Sequence, residues 1–152
     1  VINLSYDNVL QRGDFTRLVN GLNLDTDEGL RTVITVSFLT DARAKPSDGV
    51  PPEQDQRGWW GTQFLEDRPD LELGSRLWLL QRMKLTDASL RLAGVFCQES
   101  LVWMKPDVAR NVYVTPARIA GVINAATVTV QIERPKKLAP RFEDKWRIDY
   151  GL

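Results

Sequence analysis

The chain contains no histidine. That absence removes imidazole general bases, Ser–His and Cys–His nucleophile pairs, and histidine-ligated metal sites. The single cysteine, Cys97, excludes an internal disulfide, so a reducing compartment suits the chain and no oxidising one is required. No apolar run approaches the roughly 20 residues that cross a bilayer. The opening Val1-Ile2-Asn3-Leu4 lacks the charge, apolar stretch and cleavage pattern of a signal peptide. Neither a membrane segment nor an export signal is therefore expected. Net charge is absent as well, because 20 basic residues balance 20 acidic ones. A nucleic-acid binder needs a basic excess or a dense basic stripe, so that class is not expected either.

What remains is ordinary globular material with one surplus. At 152 residues, 43% apolar and 26% charged, the chain reads as one domain large enough to bury a core without staples. Five tryptophans is a high count, and tryptophan is favoured in cores and in interfaces. Two of them sit in the stretch Asp48 to Gly61, "DGVPPEQDQRGWWG", after a stiff charged loop and between glycines.

The pattern along the chain predicts an α+β fold. Residues 1–25 read as an extended segment of short strands. Ile2-Leu4-Tyr6 alternates, Arg12-Gly13-Asp14 marks a turn, and Phe15 to Val19 with Asn20-Gly21 suggests a hairpin into Leu22-Leu24. The Arg-Gly-Asp triplet matches a cell-adhesion signal, but a turn is its plainer reading. A helix is predicted from about Asp27 to Ala42. Leu30, Val33, Ile34, Phe38 and Asp41 step at helical spacing there, and Asp25 with Glu28 forms a capping pair.

Residues 45–58 form a long loop, with Pro51-Pro52 enforcing extended backbone; such loops are functional or mobile more often than not. A short helix follows at Gly74-Ser75-Arg76-Leu77-Trp78-Leu79-Leu80, with Ser75 as N-cap. Thr86 caps a longer helix carrying Leu90, Ala93, Cys97, Leu101 and Met104 on one stripe, closed by Lys105 and Pro106. The remainder is antiparallel β. It runs from Val112 to Ile119, turns at Val122 to Ala125, and continues in Thr127 to Glu133, where Val128, Val130 and Ile132 face inward. The tail Phe142 to Tyr150 adds a further strand, and Arg134-Pro135-Lys136-Lys137 guards an edge.

Several groups of residues could carry function. Adjacent side chains diverge, so Trp59 and Trp60 cannot both enter one pocket; one anchors the loop and the other meets a second surface, or both pack internally. Arg57 beside them stacks on an indole, enters an ion pair, or is solvated. Arg76 with Trp78 has the composition of an interface hot spot, or is a core tryptophan beside a surface arginine. The carboxylates Asp55, Glu66, Asp67, Asp70, Glu72 and Glu99 could supply an acid and a base for glycoside hydrolysis, although no spacing singles out a pair. The acidic residues Asp14, Asp25, Asp27 and Glu28 do not match a calcium loop, and neither metal nor cofactor is expected. The strand Thr127 to Arg134 offers Thr127, Thr129, Gln131 and Glu133 on its polar face and an edge for strand addition, with Trp146 in the tail beside it.

Taken in order, Leu39 to Ala44, Asp55 to Gly61, Leu73 to Leu80 and Glu99 to Trp103 resemble the baseplate protein family of Mu-like contractile-tailed phages, the product numbered forty-six in Mu. The resemblance covers most of the chain and rests on Arg57-Gly58-Trp59-Trp60-Gly61 followed by Gly74-Ser75-Arg76-Leu77-Trp78-Leu79-Leu80. It implies a structural, non-enzymatic protein of a six-fold baseplate, present in several copies and related to the wedge and sheath-initiator group. The implied partners are other wedge proteins and the tail sheath, with hub, spike or tube proteins as further candidates. The implied location is the virion, after synthesis in the host cytoplasm. The wider group carries a Glu-Pro-Arg or Gly-Glu-Arg signature after its first helix. Asp41-Ala42-Arg43 stands in that place here, so only Arg43 carries over. The alternatives are a tail-associated peptidoglycan glycosidase and a small adaptor of an unrelated complex.

Overall fold

The computed structural model describes residues 4–7, 12–15, 29–64, 72–105, 108–134 and 142–151. Among them lie a two-stranded hairpin, two α-helices joined by 3-10 segments, and a three-stranded antiparallel sheet, the α+β architecture the sequence predicts.

The hairpin pairs β1 (Leu4–Asp7) with β2 (Arg12–Phe15) and lies beside the first helix. Its register runs from Leu4↔Phe15 to Asp7↔Arg12. Arg12-Gly13-Asp14 therefore belongs to a strand rather than a turn. The predicted turn at Asn20-Gly21 and the capping pair Asp25/Glu28 lie outside the described residues.

Helix α1 (Leu30–Leu39) is shorter than the predicted 27–42. Thr40 turns extended, and the next residues exchange helix bonds for a bridge between Asp41 and Ser75. Leu30, Ile34 and Phe38 are buried as expected, but Thr35 and Ser37 join them while Val33 faces outward. The tertiary partners of the two hydroxyls rotate the buried face away from the purely apolar stripe. Trp146 Nε1 donates to Thr35 Oγ1 at 3.2 Å, and Trp103 Nε1 donates to Ser37 Oγ at 3.3 Å.

Helix α2 (Asp87–Ser100) begins as predicted. Thr86 Oγ1 accepts from Ser89 N at 3.2 Å, and Ser89 Oγ accepts from Thr86 N at 2.9 Å, a reciprocal cap. Ala93, Phe96 and Cys97 are buried, and burial pushes the Cys97 thiol well above its ordinary range, so it acts as a small inert hydrophobe. The α-helix stops at Ser100, and a 3-10 turn over Val102–Met104 carries Met104 into the core. Pro106 lies outside the described residues.

The sheet has the order β3 (Asn111–Arg118), β4 (Ala125–Glu133), β5 (Phe142–Asp149). Val128, Val130 and Ile132 are wholly buried against the helices, and Thr127, Thr129, Gln131 and Glu133 share the outer, wetter face. The expectation that 127–134 supplies a free edge is overturned, because β4 is the central strand. Its pairing with β3 runs through Val128↔Pro116, and its pairing with β5 through Val128↔Trp146. The sheet itself is open, and its edges are β3 and β5. Tyr150 closes the far corner: its hydroxyl donates to the Ser89 carbonyl at 3.2 Å, and burial pushes its pKa up to about 12.

Candidate contact loop and sheet edge

The Gly74-to-Leu80 block is a joint between two halves of the core. Gly74 has φ 115°, and a Cβ there would sit 2.6 Å from the Thr40 carbonyl oxygen, so only glycine brings the two segments this close. Ser75 N donates to Thr40 O, Ala42 N donates to Ser75 O, and Ser75 Oγ donates to Phe38 O at 2.8 Å. That hydroxyl satisfies one of the carbonyls left open at the end of α1. The same Ser75 Oγ accepts from Leu77 N at 3.3 Å, so it caps the next turn from one residue before the cap position, which Arg76 holds; that turn, Leu77–Arg82, is 3-10 rather than α-helical. Gly74→Ala is expected to cost about 2 kcal/mol in urea unfolding, combining left-handed strain with the clash. A variant as stable as the parent would show that the joint can relax.

Arg76 and Trp78 are interior, which corrects their reading as contact residues. The Arg76 guanidinium is bound by Asp48 from the loop and Glu99 from α2, and its carbon lies 4.5 Å from the centre of the Phe96 ring. Lys45 Nζ reaches the same Glu99 carboxylate at 3.2 Å. Partial burial works to raise the Glu99 pKa, but the hydrogen bonds and charges of Arg76 and Lys45 outweigh it and hold the carboxyl below its ordinary range. Trp78 is buried and donates through Nε1 to Ala42 O at 2.9 Å. The Arg57 guanidinium lies 4.5 Å from the Trp78 ring centre, and that of Arg82 lies 5.3 Å away.

These anchors fix the loop at 45–58. It opens with a 3-10 turn over Pro46–Asp48, where Asp48 also accepts from Lys45 N at 2.7 Å. It closes where Ala44 N donates to Gln56 O and Arg57 pairs with Asp41 at 2.7 Å. Arg57 holds φ 52°, an uncommon conformation for a non-glycine residue, with its N–H donating to Asp55 Oδ1. Gly58 packs on Arg43, whose own N–H donates to Glu72 Oε1 while its side chain stays exposed.

Beyond the loop the two tryptophans part company. A Cβ on Gly61 would lie 2.4 Å from the Trp59 ring, so Trp59 folds back over that glycine and is half-buried. Trp60 is 73% exposed, and Phe64, one turn on, is 68% exposed. Their rings meet edge to face at 5.8 Å, and Trp60 lies 5.9 Å from Trp59. The sequence reading missed Phe64, although its spacing of four from Trp60 was a usable signal. Trp146, read as a contact residue, is half-buried on the inner face instead, edge-on to Phe38 at 5.4 Å.

A cleft of about 380 Å³ lies between this joint and the end of α2, with Glu72 and Glu99 both in its wall. Of the other candidate carboxylates, Glu66, Asp67 and Asp70 lie outside the described residues. A general acid needs a raised pKa, however, and that of Glu99 is displaced the other way. Among the described residues no group of acidic or sulfur side chains is arranged to hold a metal ion.

The two sheet edges differ. On β3 the Val112 carbonyl points outward and accepts from Gln98 Nε2 of α2 at 2.9 Å. Backbone groups alternate along a strand, so Pro116 also faces outward and offers no N–H. Helix α2 lies over the same strand, with Gly94 against Pro116. This edge has one acceptor taken and one donor missing, so it is the less open of the two. On β5, Tyr150 N donates to Asn124 O in the ladder's register, which turns Glu143, Lys145, Arg147 and Asp149 outward. The Lys145 N–H is taken by the neighbouring Asp144 Oδ1 at 2.8 Å. Among the described residues, Glu143, Arg147 and Asp149 have no backbone partner on that side.

The arrangement can be compared with known proteins. Over 95 residues the chain is 44% identical to the baseplate protein gp46 of Escherichia phage Mu, covering 62% of this chain and 61% of that one. Over 89 residues it is 32% identical to the Mu-like prophage FluMu protein gp46 of Haemophilus influenzae, covering 58% and 57%. The chain thus matches about three-fifths of the length of these relatives. The family model described as phage protein GP46 matches residues 30–139, the span from the start of α1 past the end of β4 that contains the joint, the loop and the tryptophan turn. The chain belongs to the GP46 family of phage proteins.

Proposed function

We propose that the chain is a structural, non-enzymatic part of a contractile phage baseplate, a wedge protein of sheath-initiator type that works through protein contacts. The relative from phage Mu is a baseplate protein by name, and common family membership supports the same setting here. The observation that carries the reading is the asymmetry of the sheet. On one edge α2 takes the Val112 carbonyl and Pro116 offers no N–H, while the β5 edge leaves more amide and carbonyl groups in strand geometry. A strand from a neighbouring chain extends such an edge by main-chain hydrogen bonding. In this reading the sheath supplies that strand. Other wedge proteins, and after them hub, spike or tube proteins, meet the Trp60 turn, in several copies around a six-fold axis. The product is made in the host cytoplasm and resides in the virion.

Arg147→Pro tests the edge directly. Its N–H points away from β4, so proline removes a docking donor without breaking the existing ladder. The expected result is a melting temperature within a few degrees of the parent and tails that lack sheath. Arg147→Ala serves as control, because it loses only the exposed ion pair with Asp149 and should assemble normally. Full assembly of a folded proline variant would sink the edge as the sheath contact.

A further inference from the structure

We propose that residues 45–58 form an ionically latched strap, fastened to α2 through Arg76 and able to lift as a unit from a core that stays folded. Not one residue of the segment is fully buried, so its attachment differs in kind from the apolar packing beneath it. The fasteners are polar. Asp48 binds the buried Arg76, Lys45 binds Glu99, Gln54 Oε1 accepts from Arg82 at 3.2 Å, and Arg57 pairs with Asp41. Val50 alone among these residues packs apolar surface on the core.

The strap also holds itself together. Gln56 Nε2 donates to the carbonyls of Pro51 and Gln54, and Gln54 N donates to Pro51 O. A segment with internal bonds and few apolar anchors opens as one cooperative unit at a free-energy cost below global unfolding. Positive φ at Arg57 and Gly58 marks the hinge at its far end, and the chain leaves that hinge straight into Trp59, Trp60 and Phe64. Lifting the strap therefore moves the aromatic turn and uncovers the ring face of Trp78 on which Arg57 lies.

Arg76 is the latch because its largely buried guanidinium binds the strap's Asp48 and the Glu99 of α2 at once, with the exposed Lys45 reaching the same Glu99 from the strap. Glu72 and Lys105 share the adjoining cleft, so a partner that presents a charged side chain there would compete for the same guanidinium and carboxylate. This proposal stands independently of the β5 edge.

Asp48→Asn tests it by hydrogen exchange on the full chain, because asparagine keeps an acceptor for Lys45 N and removes the charge that holds Arg76. The expected result is a tenfold or greater loss of protection at the Asp48 and Gln54 amides, which donate to Lys45 O and Pro51 O, with α2 and β4 unchanged. Equal protection in parent and variant would overturn the latch. An equal loss throughout the chain would overturn the strap as a separate unit. Glu99→Gln, on a half-exposed side chain, gives the same readout should Asp48→Asn fail to fold.

Discussion

Trp78→Ala is expected to lower the stability of the chain by about 3–5 kcal/mol, the range for removing a large buried aromatic. Three losses combine. The indole leaves a cavity in the core cluster to which Leu80 and Phe38 also belong. The Ala42 carbonyl loses the N–H that satisfies it. Arg57 and Arg82 lose the ring on which both guanidinium groups lie. Small domains hold only about 5–15 kcal/mol in total, so the variant is expected to populate unfolded chain at 37 °C. Urea unfolding of Trp78→Ala and Trp78→Phe separates the terms. Phenylalanine keeps most of the buried area and loses the N–H, for an expected cost of about 1–2 kcal/mol. An alanine variant within about 1 kcal/mol of the parent would contradict the placement of Trp78 in the core, the usual range for surface changes being about 0.5 kcal/mol.

The same residue shows what the sequence could and could not convey. Composition predicted that Arg76 and Trp78 were either hot spot or core, and nothing local decides between them. The deciding partners are Ala42, 36 positions away, and Asp48, 28 positions away. Gly74 and Ser75 looked like a helix start because a serine before an apolar run often is one. Ser75 Oγ does accept from Leu77 N, but both residues also serve the end of α1, through Thr40 and Phe38, and only the folded chain brings those together. The start of helix α2 was legible to the residue because its signals are local, a cap at Thr86 and an acid at Asp87, whereas the predicted stripe ran on to Met104 past the actual end at Ser100. The alternation of β4 was legible for the same reason. Its central place was not, because that depends on where Phe142 to Asp149 docks after the intervening segment. Alternation says which way side chains point and is silent about which strand lies at the edge.

The paired tryptophans were half legible. Divergent side chains required one ring in and one out if the loop was a contact, and Gly61 settles the order. A glycine with Trp59 folded over it leaves Trp60 on the far side, next to Phe64. Arg43 completes that neighbourhood through its packing on Gly58, which gives the surviving member of the Asp41-Ala42-Arg43 stretch an exposed side chain near the turn. Asp41 has the opposite fate, since it holds Arg57 at the hinge. The joint, the loop and the aromatic turn are thus one construction. Arg76 and Trp78 hold it from beneath, and Trp60 and Phe64 are what it presents.

Trp60→Ala is accordingly expected to do little to the isolated chain and much to its assembly. The ring is almost wholly in water, so truncation should shift stability by less than about 0.5 kcal/mol. Aromatic anchors at interface centres are worth about 2 kcal/mol or more each, which corresponds to roughly a 30-fold loss of partner affinity. While the strap is fastened, its setting favours the high end of that range. A side chain carried on a pre-fastened loop gives up less freedom on docking than one on a mobile loop. Phe64→Ala should weaken binding less, because it removes the edge support of Trp60 and leaves the main ring in place. Trp59→Ala should reverse the pattern, lowering the melting temperature through the bared Gly61 and affecting assembly only in proportion. Melting curves and capture of baseplate wedge subunits by each purified variant distinguish these outcomes. A Trp60→Ala chain that melts early would mean the ring is packed internally after all. A chain that folds and captures wedge subunits as tightly as the parent would remove the turn from the contact surface and leave the β5 edge to carry assembly alone.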